Sequence, residues 1–156
     1  FSESIQKNIE FGNPNSSMDE IIDAAKLAQI DLEIRKFENG YGTILGERGV
    51  TLSGGQAQRI SIARSFIKDS EIYLFDDCFS SLDSDTENRI LKNLKNNFQK
   101  KTLVIISHRV SCLKDADNII VLDNGKIIQS GSHNELIKNK GYYKDLYLKQ
   151  NKEIND

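Results

Sequence analysis

The chain has 156 residues, enough for one domain with a core of its own, and a formal net charge of -2. Acidic and basic residues are interspersed, which argues against the basic stripe of a dedicated nucleic-acid surface. Cys78 and Cys112 are far apart and show no C-x-x-C spacing, so neither a disulfide scaffold nor a zinc site is indicated and a reduced cytosolic setting is expected. No apolar run approaches the roughly 20 residues of a membrane span.

Taken in order, residues 12 to 17 are turn-like and hold the single proline, Pro14. Ser16 or Ser17 can cap a helix whose apolar positions are Ile21, Ala24, Ala25 and Ala28, and a second short helix is predicted over 31 to 36. Asn39 and the glycines at 40, 42, 46 and 49 form a loop. Next comes Thr51-Leu52-Ser53-Gly54-Gly55-Gln56-Ala57-Gln58-Arg59. Ser53 is a good N-cap with Gln56 three residues on, so a capping box is predicted. Gly54 and Gly55 fall in the first turn, where the missing Cβ lets another molecule approach the backbone and free N–H groups favour an anion. Ile60, Ala63, Phe66 and Ile67 then recur at helical spacing.

Ile72 to Phe75 is apolar and ends in Asp76 and Asp77, the pattern of a buried parallel strand whose C-terminal end meets a ligand. Asp83 or Ser84 caps the next helix, with Glu87 as a possible box partner and Ile90, Leu91 and Leu94 inward. A second buried strand is predicted over 102 to 106. Two short strands, 119 to 122 and 126 to 128, flank the hairpin turn Asp123-Asn124-Gly125. Ser132 with Glu135 caps a short helix in which His133 has a structural role, and Tyr142, Leu146 and Tyr147 mark a last helix before a frayed end from Asn151. The alternation of strand and helix is α/β.

Four segments together resemble the ATP-binding cassette (ABC) ATPases. Leu52-Ser53-Gly54-Gly55-Gln56 resembles their signature motif and 71 to 77, ending in Asp76-Asp77, their Walker B strand. Ser80-Ser81-Leu82-Asp83 resembles the D-loop and Ile106-Ser107-His108-Arg109 the switch-histidine segment. The likeness is strongest to the nucleotide-binding domains of exporters and runs from about Phe1 to Gln150. It implies an α/β fold with a P-loop NTPase-like (RecA-like) parallel core lacking its P-loop strand, plus the ABC helical subdomain. The implied division is a post-Q-loop segment (1 to 12), the helical subdomain (13 to 67), the second half of the ATPase core (68 to 150) and a tail (151 to 156). Gly46-Glu47-Arg48-Gly49 resembles the segment that touches the membrane domain. No G-x-x-x-x-G-K-[ST] loop occurs in the sequence, so the chain is expected to be part of a longer polypeptide and inactive as a fragment.

The resemblance also implies roles and partners. ATP and Mg²⁺ are the expected ligands, with Asp76 holding the metal and His108 meeting the γ-phosphate. Leu52, Ser53, Gly54, Gly55 and Gln56 would clamp the ATP of a second nucleotide-binding domain, while Ser81 and Asp83 belong to the D-loop between the two sites. Active members carry a glutamate where this chain has Asp77, one methylene shorter. A misplacement of about 1 Å can cost on the order of 100-fold in rate, roughly 2.7 kcal/mol of barrier. The combination resembles the degenerate half of a heterodimeric exporter, attached to a transmembrane domain at the cytoplasmic face of a membrane, with no nucleic-acid partner. The competing readings are a non-catalytic, nucleotide-dependent dimerisation module and a soluble ABC ATPase.

Overall fold

The computed structural model describes residues 2 to 46 and 49 to 153. The expectation for Glu47 and Arg48 therefore lies outside the described residues. The chain divides into two compact units, Phe1–Val104 and Ile105–Asp156.

The first unit begins with a helix that the sequence reading did not predict. Ser4 caps α1 (Ile5–Glu10) by accepting from the Lys7 N–H at 3.1 Å, and Ile5 and Ile9, one turn apart, are fully buried. For α2 (Met18–Leu27) the cap is Ser17, in a complete box: its hydroxyl accepts from the Glu20 N–H at 3.3 Å and its own N–H donates to Glu20 at 2.7 Å. The chain leaves α2 through Gln29 in a left-handed conformation, φ 57°. Next, α3 (Asp31–Ile34) stops short of the predicted Lys36. Its Asp31 is buried, and Arg35 Nε donates to both carboxylate oxygens at 2.9 Å while the Tyr41 hydroxyl donates at 2.7 Å. Burial pushes the Asp31 carboxyl up, but the bonds from Arg35 and Tyr41 outweigh it and hold the group below its usual range.

Helix α4 (Gly54–Phe66) is the element on which α1 and α2 pack. Ile60, Ala63 and Phe66 are buried as the periodicity predicts, and Ile62 joins them. Arg64 latches α1 to α4, donating to the Asn8 carbonyl at 2.7 Å and to its side-chain oxygen at 3.0 Å. At the far end of α4 the rings of Phe66, Tyr73, Phe75, Phe79 and Phe98 form one cluster, with centroid separations from 4.9 to 6.3 Å. Edge-on and offset pairs of this kind add about 0.5–1.5 kcal/mol each beyond the area they bury.

Strand β1 (Ile72–Asp76) places Tyr73 and Phe75 in that cluster. Its other face differs from the sequence expectation of burial on both sides, for Ile72 and Leu74 are each 65% exposed. The physical reason is that the aromatic cluster covers one face only. After β1 comes α5 (Ser84–Asn97), capped by Asp83, which accepts from the Thr86 N–H at 2.9 Å. Glu87 does not complete a box: Thr86 occupies the third helical position, and Glu87 is fully buried instead. Strand β2 (Thr102–Ile106) is the parallel neighbour of β1 across this helical crossover.

In the second unit β3 (Ile119–Asp123) and β4 (Lys126–Gly131) form an antiparallel hairpin. Asn124 and Gly125 turn it with φ of 48° and 74°, the two left-handed positions that a tight primed turn requires. Val110, Ile119, Val121, Leu136 and Tyr143 make its core. Helix α6 (His133–Leu136) starts where Glu135 accepts from the Ser132 N–H at 2.8 Å and hydroxyl at 2.7 Å. His133 Nδ1 lies 2.8 Å from the Tyr143 hydroxyl, and its ring stands edge-on to Tyr143 and Tyr147, the structural role expected of it. Helix α7 (Tyr142–Glu153) continues into the segment that the sequence assigned to a frayed end.

Candidate nucleotide site

The start of α4 is built as its residue order requires. The Ser53 hydroxyl accepts from the Gln56 N–H at 3.2 Å, and Gln56 Oε1 accepts from the Ser53 N–H at 3.0 Å. The first intrahelical bond is from the Ala57 N–H to the Ser53 carbonyl at 3.0 Å. The amides of Gly54 and Gly55 come before it and have no acceptor within the helix. Leu52 is half-buried just ahead of the cap.

The Gln56 side chain is committed inside the chain. Its Nε2 donates to Glu33 at 3.0 Å, and Arg59 donates to the other Glu33 oxygen at 2.6 Å, to the Gln29 carbonyl at 2.6 Å and to the Gly55 carbonyl at 3.2 Å. The bond from Arg59, helped by Gln56 and opposed by partial burial, holds the Glu33 carboxyl below its ordinary range. Arg59 thereby joins the end of α2, α3 and the start of α4 through one guanidinium.

The two glycines serve the chain's own packing. A Cβ on Gly55 would lie 3.0 Å from the Ser81 carbonyl oxygen, and one on Gly54 would lie 3.4 Å from the Ser81 hydroxyl. The close approach predicted for another molecule is thus made at Gly55 by residue 81 of the same chain.

Asp76 ends β1 with its side chain exposed, and Asp77 follows it, exposed and left-handed, at φ 47°. Aspartate is one of the few residues other than glycine that adopts this conformation readily, because its short side chain can bond locally. Ser80 reaches back to this turn, its hydroxyl donating to the Asp77 carbonyl at 3.0 Å. Gln58, in α4, brackets the same segment: its Nε2 donates to Ser80 Oγ at 2.9 Å and its Oε1 accepts from the Ser81 N–H at 2.9 Å. Asp83 is exposed and its carboxyl is held low by the Thr86 amide. The first unit therefore brings Gly54 and Gly55 against Ser81, with Asp76 and Asp77 leading into that turn and Asp83 following it as the cap of α5.

His108 lies in the second unit, exposed, in the segment between β2 and β3. Gln150 of α7 holds that segment, donating to the His108 carbonyl at 2.7 Å and accepting from the Val110 N–H at 2.9 Å. Among the described residues no cluster of three or more metal-binding side chains occurs.

Sequence reasoning missed Glu33, Gln58, Arg59 as a bridge, and Gln150. Each bonds to a partner more than 20 positions away, where local spacing carries no signal. The left-handed Asp77 had a faint one, an Asp-Asp pair at the end of a strand.

A boxed helix start whose first amides have no acceptor within the helix, and a strand ending in two carboxylates, thus lie in one compact unit. The chain belongs to the ABC transporter family, whose pattern it matches over residues 2 to 80. It is 52% identical over 148 residues to the multidrug resistance-like ATP-binding protein MdlA of Buchnera aphidicola, covering 94% of this chain and 26% of that protein. MdlA of Escherichia coli is 45% identical over 150 residues, covering 96% of this chain and 25% of that protein. A solved bacterial Atm1-family ABC exporter with ATP bound superposes with a TM-score of 0.89 at 39% identity, over 96% of this chain and 26% of that one. The chain spans about a quarter of the length of these relatives. Its likeness is to ATP-binding regions of the exporter type, with an α/β fold to match.

Proposed function

We propose that this chain is the part of an exporter's ATPase motor that presents a signature turn to one ATP and a Walker B strand end to another. The observation that carries the proposal is the start of α4, with its boxed Ser53 and Gln56 and the amides of Gly54 and Gly55 that have no acceptor within the helix, tied to the turn that follows Asp76 and Asp77. In this reading Leu52 to Gln56 face the γ-phosphate of ATP held by a second nucleotide-binding domain. The Gln56 side chain is occupied by Ser53 and Glu33, so recognition falls to the Gly54 and Gly55 amides and the Ser53 hydroxyl.

In this reading Asp76 would hold Mg²⁺, which supplies charge neutralisation on the phosphates when bound with the nucleotide. With no further cluster of acidic ligands in the described residues, Asp76 would share the ion with phosphate oxygens and water. Asp77 orients the attacking water. His108, held at its backbone by Gln150, hydrogen-bonds the γ-phosphate. Ser81 and Asp83 stand at the seam between the two domains. The whole motor comprises this chain, a P-loop segment, a transmembrane domain in the same polypeptide and a second such subunit, at the cytoplasmic face of a membrane.

Because Asp77 is shorter than the glutamate of active members, its own site binds nucleotide and turns it over slowly, and a heterodimer with a fully active partner is favoured. The test is ATP turnover of the full-length complex carrying Asp77→Glu, with thermal stability measured alongside, since glutamate is less at ease than aspartate in a left-handed backbone. A rise in turnover supports the degenerate site. Unchanged turnover in a stably folded variant rejects it. The same aspartate favours one alternative, a nucleotide-clamped dimerisation module, which predicts ATP-dependent association with no turnover at either site.

A further inference from the structure

We propose that Gln58 is a positioning residue that locks the signature turn to the Asp77 turn within one subunit, so that the two half-sites of the chain move as one body. The inference rests on the function proposed above and goes further by naming the residue that joins its two halves.

Gln58 lies in α4, just past the signature turn. Its carboxamide crosses to the segment after β1 and makes two bonds there, donating to Ser80 Oγ at 2.9 Å and accepting from the Ser81 N–H at 2.9 Å. Ser80 passes the connection on, its hydroxyl donating to the Asp77 carbonyl at 3.0 Å. A continuous chain of hydrogen bonds therefore runs from the signature helix to the peptide of Asp77. Asp77 itself is left-handed, at φ 47°.

The residue type fits this task and few others do. The pair of partners needs one donor and one acceptor on the same rigid group. Glutamate has no donor, lysine and arginine have no acceptor, and asparagine has the right groups on a stem one methylene shorter. Packing works in the same direction. The backbone at Gly55 lies so close to the Ser81 carbonyl that a Cβ there would come within 3.0 Å of it. The start of α4 thus cannot slide or rotate past Ser81 without losing two hydrogen bonds and a close contact. A shift of the signature turn on one nucleotide is transmitted to the water-orienting carboxylate at the other.

The test uses the full-length transporter and its ATP-concentration dependence. Gln58→Ala is expected to lower kcat about tenfold, because the released signature turn no longer seats on the ATP of the fully active partner site; this is less than the roughly 100-fold of a 1 Å misplacement, with KM for ATP within about twofold of wild type. Ser80→Ala, at an exposed position, should lower kcat in the same way. The double variant should be no worse than Gln58→Ala, because both remove one path. An unchanged kcat in Gln58→Ala, a change confined to KM, or additive losses in the double variant would overturn the proposal. If Gln58→Ala does not fold, Ser80→Ala alone decides, by the same kcat and KM criteria. A wild-type transporter with no ATP turnover would defeat the function reading instead. The lock is then judged by hydrogen exchange at the Ser81 amide, slow in wild type and faster in Gln58→Ala if Gln58 holds it, and equal in both if it does not.

Discussion

Replacing Gly55 with alanine would place a methyl carbon 3.0 Å from the Ser81 carbonyl oxygen and 3.6 Å from a Leu82 methyl. Relief requires the Ser81 peptide to retreat by a few tenths of an ångström, while its N–H is held by Gln58 at 2.9 Å. Alanine gains about 0.5–1 kcal/mol over glycine inside a helix and less in a first turn. Overpacking against a fixed neighbour costs about 1–3 kcal/mol. The net expectation is destabilisation by about 1 kcal/mol, a fall in Tm of ~2–4 °C for a domain of this size. Gly54→Ala is the control, for its methyl meets only the Ser81 side chain, at 3.4 and 3.5 Å, and that hydroxyl can rotate. It should be neutral or slightly stabilising. Paired thermal unfolding of the two variants in the complete ATPase domain reads the difference. A Gly55→Ala protein as stable as Gly54→Ala would refute the reasoning. Equal stability with ATP turnover lost in both would show that the glycines serve the nucleotide and not Ser81.

Asp31 offers a pH test. Its carboxyl is held below the unfolded value of about 3.9 by Arg35 and Tyr41, so its contribution is present above about pH 4 and is lost as pH falls through the lower folded value. Tm against pH should drop more steeply below about pH 4 in wild type than in Asp31→Asn, and parallel curves would contradict the assignment. At position 77, alanine and asparagine both remove the charge, but alanine lacks the local bonding that eases a left-handed backbone. Asp77→Ala should therefore be about 1 kcal/mol less stable than Asp77→Asn by denaturant unfolding, and equal midpoints would count against it. Gln150→Ala leaves the Val110 N–H without its acceptor and should speed exchange of that amide about tenfold, the equivalent of roughly 1.4 kcal/mol; unchanged protection would show that Gln150 does not hold the His108 segment. Finally, the 156-residue chain, which has no G-x-x-x-x-G-K-[ST] loop, should bind ATP poorly by calorimetry, and micromolar affinity would contradict this.

Much of the site was legible along the chain because its parts are local. A serine with a glutamine three residues later can close a capping box by itself, and Ser53 and Gln56 do so. The same holds for Ser132 with Glu135 and for the Asn124-Gly125 turn, where residues within four positions satisfy one another. Where two local solutions competed, as at Ser16 and Ser17, the reach of Glu20 selected Ser17. The proposed box at Glu87 failed because one position of offset turned that side chain from the cap into the interior. Likewise, the apolar run of β1 predicted burial on two faces, yet exposure depends on what covers a strand, and only Tyr73 and Phe75 meet the ring cluster.

The sequence by itself determined the capping chemistry, the strand that ends in Asp76 and Asp77, and the family to which those motifs belong. Only the tertiary structure decided that Gln56 spends its amide on Glu33, that Gly55 lies against Ser81, and that Gln58 and Gln150 hold the turns on which Asp77 and His108 stand. The physical reason is reach. A hydrogen bond between residues three or four apart is set by the helix pitch, whereas one between residues 22 or 42 apart exists only after packing has brought the two segments together.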